Sequence, residues 1–137
     1  MRVMGLDVGT KTIGIAVSDA LLLTAQPKPT LRRKNLQSDI ETLRHMVAEN
    51  EVHEIVVGQP LHMDGRESPQ SEKVGRFAEE LRKAVNVPVI FWDERLTSFE
   101  AEQHLEHMGL NWRQRRDQVD KIAAMMILQN YLDSRRG

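Results

Sequence analysis

The tripeptide Ile55-Val56-Val57, bounded by Glu54 and Gly58, is apolar at every position. A strand with one wet face alternates apolar and polar residues, so a strand without alternation needs both faces covered. This chain therefore requires a sheet with layers on both sides, and the flanking segments read as those layers. Ser38-Asp39-Ile40-Glu41 has the form of a capping box, and Leu36, Ile40, Leu43 and Val47 recur at helical spacing. A long loop is expected from Gly58 to Gln70. Ser68-Pro69 opens a second helix, with Val74, Phe77, Ala78, Leu81 and Val85 on one stripe. Val87–Trp92 reads as a strand. Thr97-Ser98-Phe99-Glu100 caps a further helix that ends near Gly109, and the last helix runs from about Trp112 to Asp133.

The N-terminal part alternates. Met1–Val8 is a strand with Met4, Leu6 and Val8 on one face and Val3, Gly5 and Asp7 on the other. Gly9-Thr10-Lys11 is a turn. Ile13, Ile15 and Val17 then alternate with Gly14 and Ala16, which makes a hairpin. A third strand over Thr24–Arg32 contains Pro27 and Pro29, which cannot donate to a ladder, so it belongs at an edge. The resulting order, βββαβαβαα, predicts an α/β fold: a mixed five-stranded sheet, antiparallel in its first three strands and parallel afterwards, with helices on both faces. The 137 residues suit a single domain over 1–137. Open α/β sheets place their sites at strand C-termini, where Gly58 and Asp93-Glu94 lie.

Several chemistries are excluded. There is no cysteine, so disulfides, thiolate zinc sites and cysteine nucleophiles are absent. No apolar run approaches the ~20 residues of a membrane span, so no membrane partner is expected. No secretory signal is evident, and a cytoplasmic location is expected. The net charge of −1 means that any nucleic-acid site must be locally basic. There is no Ser–His–Asp signature and no P-loop. His104 and His107 lie one turn apart without a third ligand, which reads as a solvated helix face.

Three carboxylates occupy unusual positions. Asp7 interrupts an apolar strand among small neighbours, Gly5, Gly14 and Ala16, which leaves room above the carboxylate; the alternative is a strand-end cap on the Gly9 turn. Glu94 ends the fifth strand beside Asp93, and only one of the two can readily face a site; the alternative is a local pair with Arg95. Asp120 precedes the run Ala123–Leu128, which reads as a helix buried nearly all round with alanines that permit close approach to the sheet; the alternative is an ion pair with Arg116. Brought together by one sheet and one helix, the three would repel each other unless cations held them. Oxygen-only ligands favour Mg²⁺ or Mn²⁺. Two such ions roughly 4 Å apart clamp a phosphodiester and activate water. Lys11, the Thr97-Ser98 helix start, and Arg113, Arg115, Arg116 and Lys121 lie near these acids in sequence, Arg32-Arg33-Lys34 forms another basic cluster, and all suit phosphate contacts; the alternative for each cluster is a solvated face.

Four segments resemble the motifs of one family. Leu6-Asp7-Val8-Gly9-Thr10-Lys11-Thr12-Ile13-Gly14-Ile15-Ala16 resembles the opening motif of the YqgF family, also called RuvX. Val57-Gly58-Gln59-Pro60-Leu61-His62-Met63-Asp64-Gly65 resembles its central loop, Asp93-Glu94-Arg95-Leu96-Thr97-Ser98 its third motif, and Asp120-Lys121-Ile122-Ala123-Ala124 its last. The four run in order and cover nearly the whole chain. The first motif also resembles the phosphate loop of actin-like ATPases, whose two large lobes this chain is too short to form.

The resemblance implies a ribonuclease H-like fold and a metal-dependent nuclease that matures the 5′ end of 16S ribosomal RNA. The earlier family assignment, resolution of four-way DNA junctions, is one alternative. A module that binds RNA without cutting is another. The resemblance assigns Asp7, Glu94 and Asp120 as catalytic, metal-binding acids, with Mg²⁺ or Mn²⁺ as cofactor. Gly9, Thr10, Lys11, Arg95, Thr97 and Ser98 are expected to hold substrate phosphates, and the loop Gln59–Gln70 to close over substrate. Precursor 16S RNA is the expected partner, with branched DNA as the alternative; monomer and dimer both remain open. Two positions depart from the pattern: Thr12, where many members have Arg, and Asp117, which either extends the acid cluster or pairs with Arg113.

Overall fold

In a computed structural model of the chain, residues 1–61, 64–93 and 112–136 are described, with the side chains of the last helix from Lys121 to Arg135. Among them, β1 (Arg2–Val8), β2 (Thr12–Ser18), β3 (Ala25–Arg32), β4 (Val52–Gln59) and β5 (Val89–Asp93) form one sheet in the order β3-β2-β1-β4-β5. The pairs β1·β2 and β2·β3 are antiparallel, and β1·β4 and β4·β5 are parallel. Strand β3, with its two prolines, lies at an edge. The helices are α1 (Leu36–Glu49), α2 (Pro69–Ala84) and α3 (Trp112–Arg136). The helix expected after Thr97 lies outside the described residues, as do His104 and His107.

The apolar triplet behaves as its composition requires. Ile55, Val56 and Val57 are all fully buried and are shared between two cores. Ile55 and Val57 join Met4, Leu6 and Leu43 with Phe77 and Leu81 on the α1/α2 face. Val56 joins Val3, Ala16, Ala124, Ile127 and Leu128 on the α3 face.

The structure corrects several local expectations. The α1 cap is Asn35, whose side chain accepts from the Ser38 N–H at 2.8 Å, so Ser38–Glu41 is not a capping box. The helix therefore starts earlier, Leu36 is 41% exposed, and Asp39 takes the buried position beside Ile40. Strand β4 continues through Gln59, which shortens the following loop, and β5 begins at Val89 and includes Asp93. Helix α3 is not buried all round. Ala123, Ala124, Ile127 and Leu128 are buried but Met125 and Met126 only partly, because the helix meets the sheet with one face. Ser68 does cap α2, in a reciprocal pair with Ser71.

The C-terminal part of α3 is fastened at the start of β4. The Tyr131 hydroxyl donates to Glu54, Arg135 Nη1 donates to the same carboxylate at 3.2 Å, and Trp92 meets the Tyr131 ring edge-on at 5.7 Å. Burial, and secondly the hydrogen bond to Glu54, raise the Tyr131 phenol above its ordinary pKa of 10.0. The folded state thus favours the neutral phenol, so this stability is present below about pH 10 and is lost as pH rises through the raised value. Tyr131→Phe is expected to cost about 1–2 kcal/mol near neutral pH. In urea denaturation, the difference from wild type should shrink between about pH 8 and about pH 11. An unchanged difference would remove this role from the phenol.

Candidate active site

Asp7 is the penultimate residue of β1, half-buried, with Gly14 opposite it on β2. It lies on the α3 face, because Met4, Leu6 and Val8 point the other way. The room expected above Gly5 is filled. A Cβ at Gly5 would stand 2.8 Å from the Leu128 Cβ and 3.1 Å from the Ala124 carbonyl oxygen. Glycine is what lets the α3 backbone lie directly on β1.

The direction of α3 follows from its contacts. Ala124 and Leu128 meet Gly5, whereas Tyr131 reaches Glu54, which is paired with Val3 near the start of β1. The helix thus runs antiparallel to β1, and its N-terminal part heads toward the strand's carboxyl end. Asp120 is one helical turn before Ala124, about 6 Å along the axis. Asp7 is two residues beyond Gly5, about 7 Å along the strand. Both displacements have the same sense. The side chains of Asp120 and Asp117 lie outside the described residues, as do Glu94, Arg95, Thr97 and Ser98. Asp93 ends β5 in register with Gln59, on the α1/α2 face and therefore opposite Asp7.

The Gly9–Lys11 turn is held from outside by its carbonyls. Gly9 N–H closes it onto the Thr12 carbonyl at 2.9 Å. Arg33 Nη1 donates to the Gly9 carbonyl at 2.9 Å, the Arg33 backbone N–H to that of Lys11 at 2.9 Å, and the Gln70 amide to that of Val8 at 3.3 Å. Thr10 and Lys11 are exposed. Arg33 is itself positioned by Asp39, Nε to Oδ2 at 3.1 Å, and lies 5.2 Å from the Phe77 ring centroid. Asp39, 1% exposed, also accepts from the Lys34 N–H at 3.0 Å. Gln70 and the Ser68 hydroxyl, which donates to the Pro60 carbonyl at 2.6 Å, tie the far end of the loop after β4.

Sequence reasoning missed this clamp. Its one sequence signal is Asp39, an acid three residues after Leu36 and four before Leu43, on the apolar stripe of α1. Arg33→Gln strands the buried Asp39 carboxylate without its cation. Because Arg33 is partly exposed, the expected loss is about 2 kcal/mol, below the range for a fully buried pair. Urea unfolding measures it; a loss under about 0.5 kcal/mol, the size of an ordinary surface change, would make the clamp ornamental.

Comparison with known proteins agrees with this architecture. The family model described as "RuvX: Holliday junction resolvase" matches residues 1–134. The "Putative pre-16S rRNA nuclease" of Caldanaerobacter subterraneus subsp. tengcongensis is 47% identical over 138 residues, covering 100% of this chain and 99% of that protein. The protein of the same description from Halalkalibacterium halodurans is 51% identical over 135 residues, covering 97% and 96%. Among solved structures, T. thermophilus RuvC in complex with a Holliday junction substrate superposes with a TM-score of 0.59 at 17% identity, over 100% of this chain and 96% of that one. The fold is ribonuclease H-like.

Proposed function

The chain belongs to the RuvX family, and on that premise we propose that it is a metal-dependent endonuclease acting on structured RNA, with precursor 16S ribosomal RNA as substrate. The observation that carries this reading is the seat of α3 on Gly5, which aims the Asp120 end of the helix at the Asp7 end of β1. Because Asp93 falls on the opposite face, Glu94 is the member of that pair assigned to the site.

The donor chemistry fits hard cations. Asp7 is a half-buried carboxylate at a strand end, glycine stands opposite it, and the chain has no thiol to favour softer metals. No three-acid cluster occurs among the described residues, whose described side chains include only Asp7 of the proposed set. Asp7, Glu94 and Asp120 would hold Mg²⁺ or Mn²⁺, which when bound supplies Lewis acidity and an activated water. The turn Gly9-Thr10-Lys11, its Gly9 and Lys11 carbonyls already engaged, would present its exposed side to phosphate; Arg95, Thr97 and Ser98 would extend that grip. One domain over 1–137 would contain the whole site, working in the cytoplasm; no described helix is long and apolar enough to cross a membrane.

The test is incubation with precursor 16S RNA and, in parallel, a four-way DNA junction, each with Mn²⁺ or EDTA. Cleavage of the RNA only, in Mn²⁺ only, is the expected result. Symmetric cutting of the junction would move the assignment to the resolvase named by the family description, and should then be accompanied by a two-fold dimer. RNA binding without cleavage of either substrate would leave a non-catalytic RNA-binding module.

A further inference from the structure

We propose that Arg32, with Lys11 and Lys34, forms a phosphate-binding strip that carries the RNA backbone from Asp7 outward over the edge strand β3. The proposal rests on the RNA reading above but not on cleavage. The run Arg32-Arg33-Lys34 is one basic cluster in sequence and two different things in the structure. Arg33 turns inward and is consumed by Asp39 and the Gly9 carbonyl. Arg32 and Lys34 are exposed on either side of it, and so is Lys11.

Register puts this strip beside Asp7. Arg32 pairs with Thr12, and Thr12 lies two residues from Gly14, the partner of Asp7. Leu31 and its partner Ile13 pack against the α1/α2 core, so Arg32 stands on the other face, which is the Asp7 face. Two strand spacings sideways and two residues lengthwise separate the Arg32 and Asp7 backbones by about 12 Å. A nucleic-acid backbone covers that distance in a few nucleotides. The Arg33 hydrogen bonds to Gly9 and Lys11 hold the turn against β3, so the spacing between Lys11 and its neighbours Arg32 and Lys34 is set by the fold.

The cations of this corner differ from several others on the surface in lacking a carboxylate partner among the described residues. Arg44, Arg66, Arg82 and Lys83 are each paired with a nearby carboxylate. Among the described residues, no carboxylate pairs with Lys11, Arg32 or Lys34. Adjacent cations without counter-charge repel each other and concentrate anions. A phosphate backbone relieves that repulsion and releases its own condensed counterions.

The experiment is fluorescence anisotropy with a labelled RNA hairpin bearing a 5′ single-stranded extension, in EDTA, between about 50 and 200 mM salt. The double variant Arg32→Gln/Lys34→Gln should bind more weakly, with the slope of log Kd against log salt flattened by about 1.4–1.8. Lys83→Gln, at the far end of α2, should leave the slope unchanged. Both strip residues are exposed, so the double variant should fold, which circular dichroism checks. An unchanged slope in the folded double variant overturns the proposal, and so does absence of RNA binding by the wild type. A flattened slope in a protein that never cuts RNA in Mn²⁺ supports the strip and overturns the nuclease reading instead.

Discussion

Asp7→Asn is expected to lower metal-dependent RNA cleavage by roughly a thousandfold or more while the protein stays folded. The substitution keeps the shape of the side chain and removes its charge. Asp7 is half-buried at the end of β1, not in the interior. What would be lost is the anionic oxygen ligand proposed for the metal site. A loss of about 4 kcal/mol in transition-state stabilisation corresponds to the thousandfold effect. Binding of RNA in EDTA should persist or tighten, because a negative charge beside the phosphates has gone. Single-turnover cleavage and a thermal melt measure the two halves of the prediction. A variant that keeps more than about a tenth of wild-type cleavage would remove Asp7 from the role assigned to it.

Gly5→Val should produce the largest loss of stability, about 3–4 kcal/mol, and should also depress cleavage although no proposed ligand is touched. The added Cβ would meet the Leu128 Cβ at 2.8 Å and the Ala124 carbonyl oxygen at 3.1 Å. Neither is the far end of a flexible chain. Leu128→Ala therefore should not rescue the variant, because alanine keeps the colliding atom. Either α3 retreats, opening gaps around Val3, Val56 and Ile127, or β1 bends. Retreat of α3 also moves the backbone that carries Asp120. Gly5→Ala should show the same pair of effects at smaller size, about 1–2 kcal/mol. Urea denaturation together with cleavage at a temperature where each variant is folded gives the comparison. Full cleavage in folded Gly5→Val would show that the seat of α3 does not set the site.

Much of the architecture was legible because its causes are local. Alternation separated Met4, Leu6 and Val8 from Val3, Gly5 and Asp7, and the two faces of β1 are divided that way. The prolines of β3 announced an edge, and the edge is where β3 lies. Alternation along β5 puts Asp93 on the α1/α2 face, in register with Gln59. Local signals failed where two of them competed. Ser38 and Glu41 had the spacing of a capping box, but Asn35 caps first, and Asp39 turns inward to Arg33. Gly5 looked like free space above a carboxylate. Its emptiness is a seat for a helix more than a hundred residues later in the chain.

The sequence by itself therefore determined which of the described segments are strands and helices, and which strand needs cover on both faces. Those properties depend on the short repeat of a pleat or a helix, so neighbouring residues suffice to express them. Only the tertiary structure decided how Arg32, Arg33 and Lys34 divide between surface and clamp, what fills the space over Gly5, and which partners hold the Gly9–Lys11 turn. Those outcomes depend on pairings such as Arg33 with Gly9 and Gln70 with Val8, which lie 24 and 62 residues apart. No local period reaches across such separations; they are set by the register of strands and the depth at which a helix can settle on them.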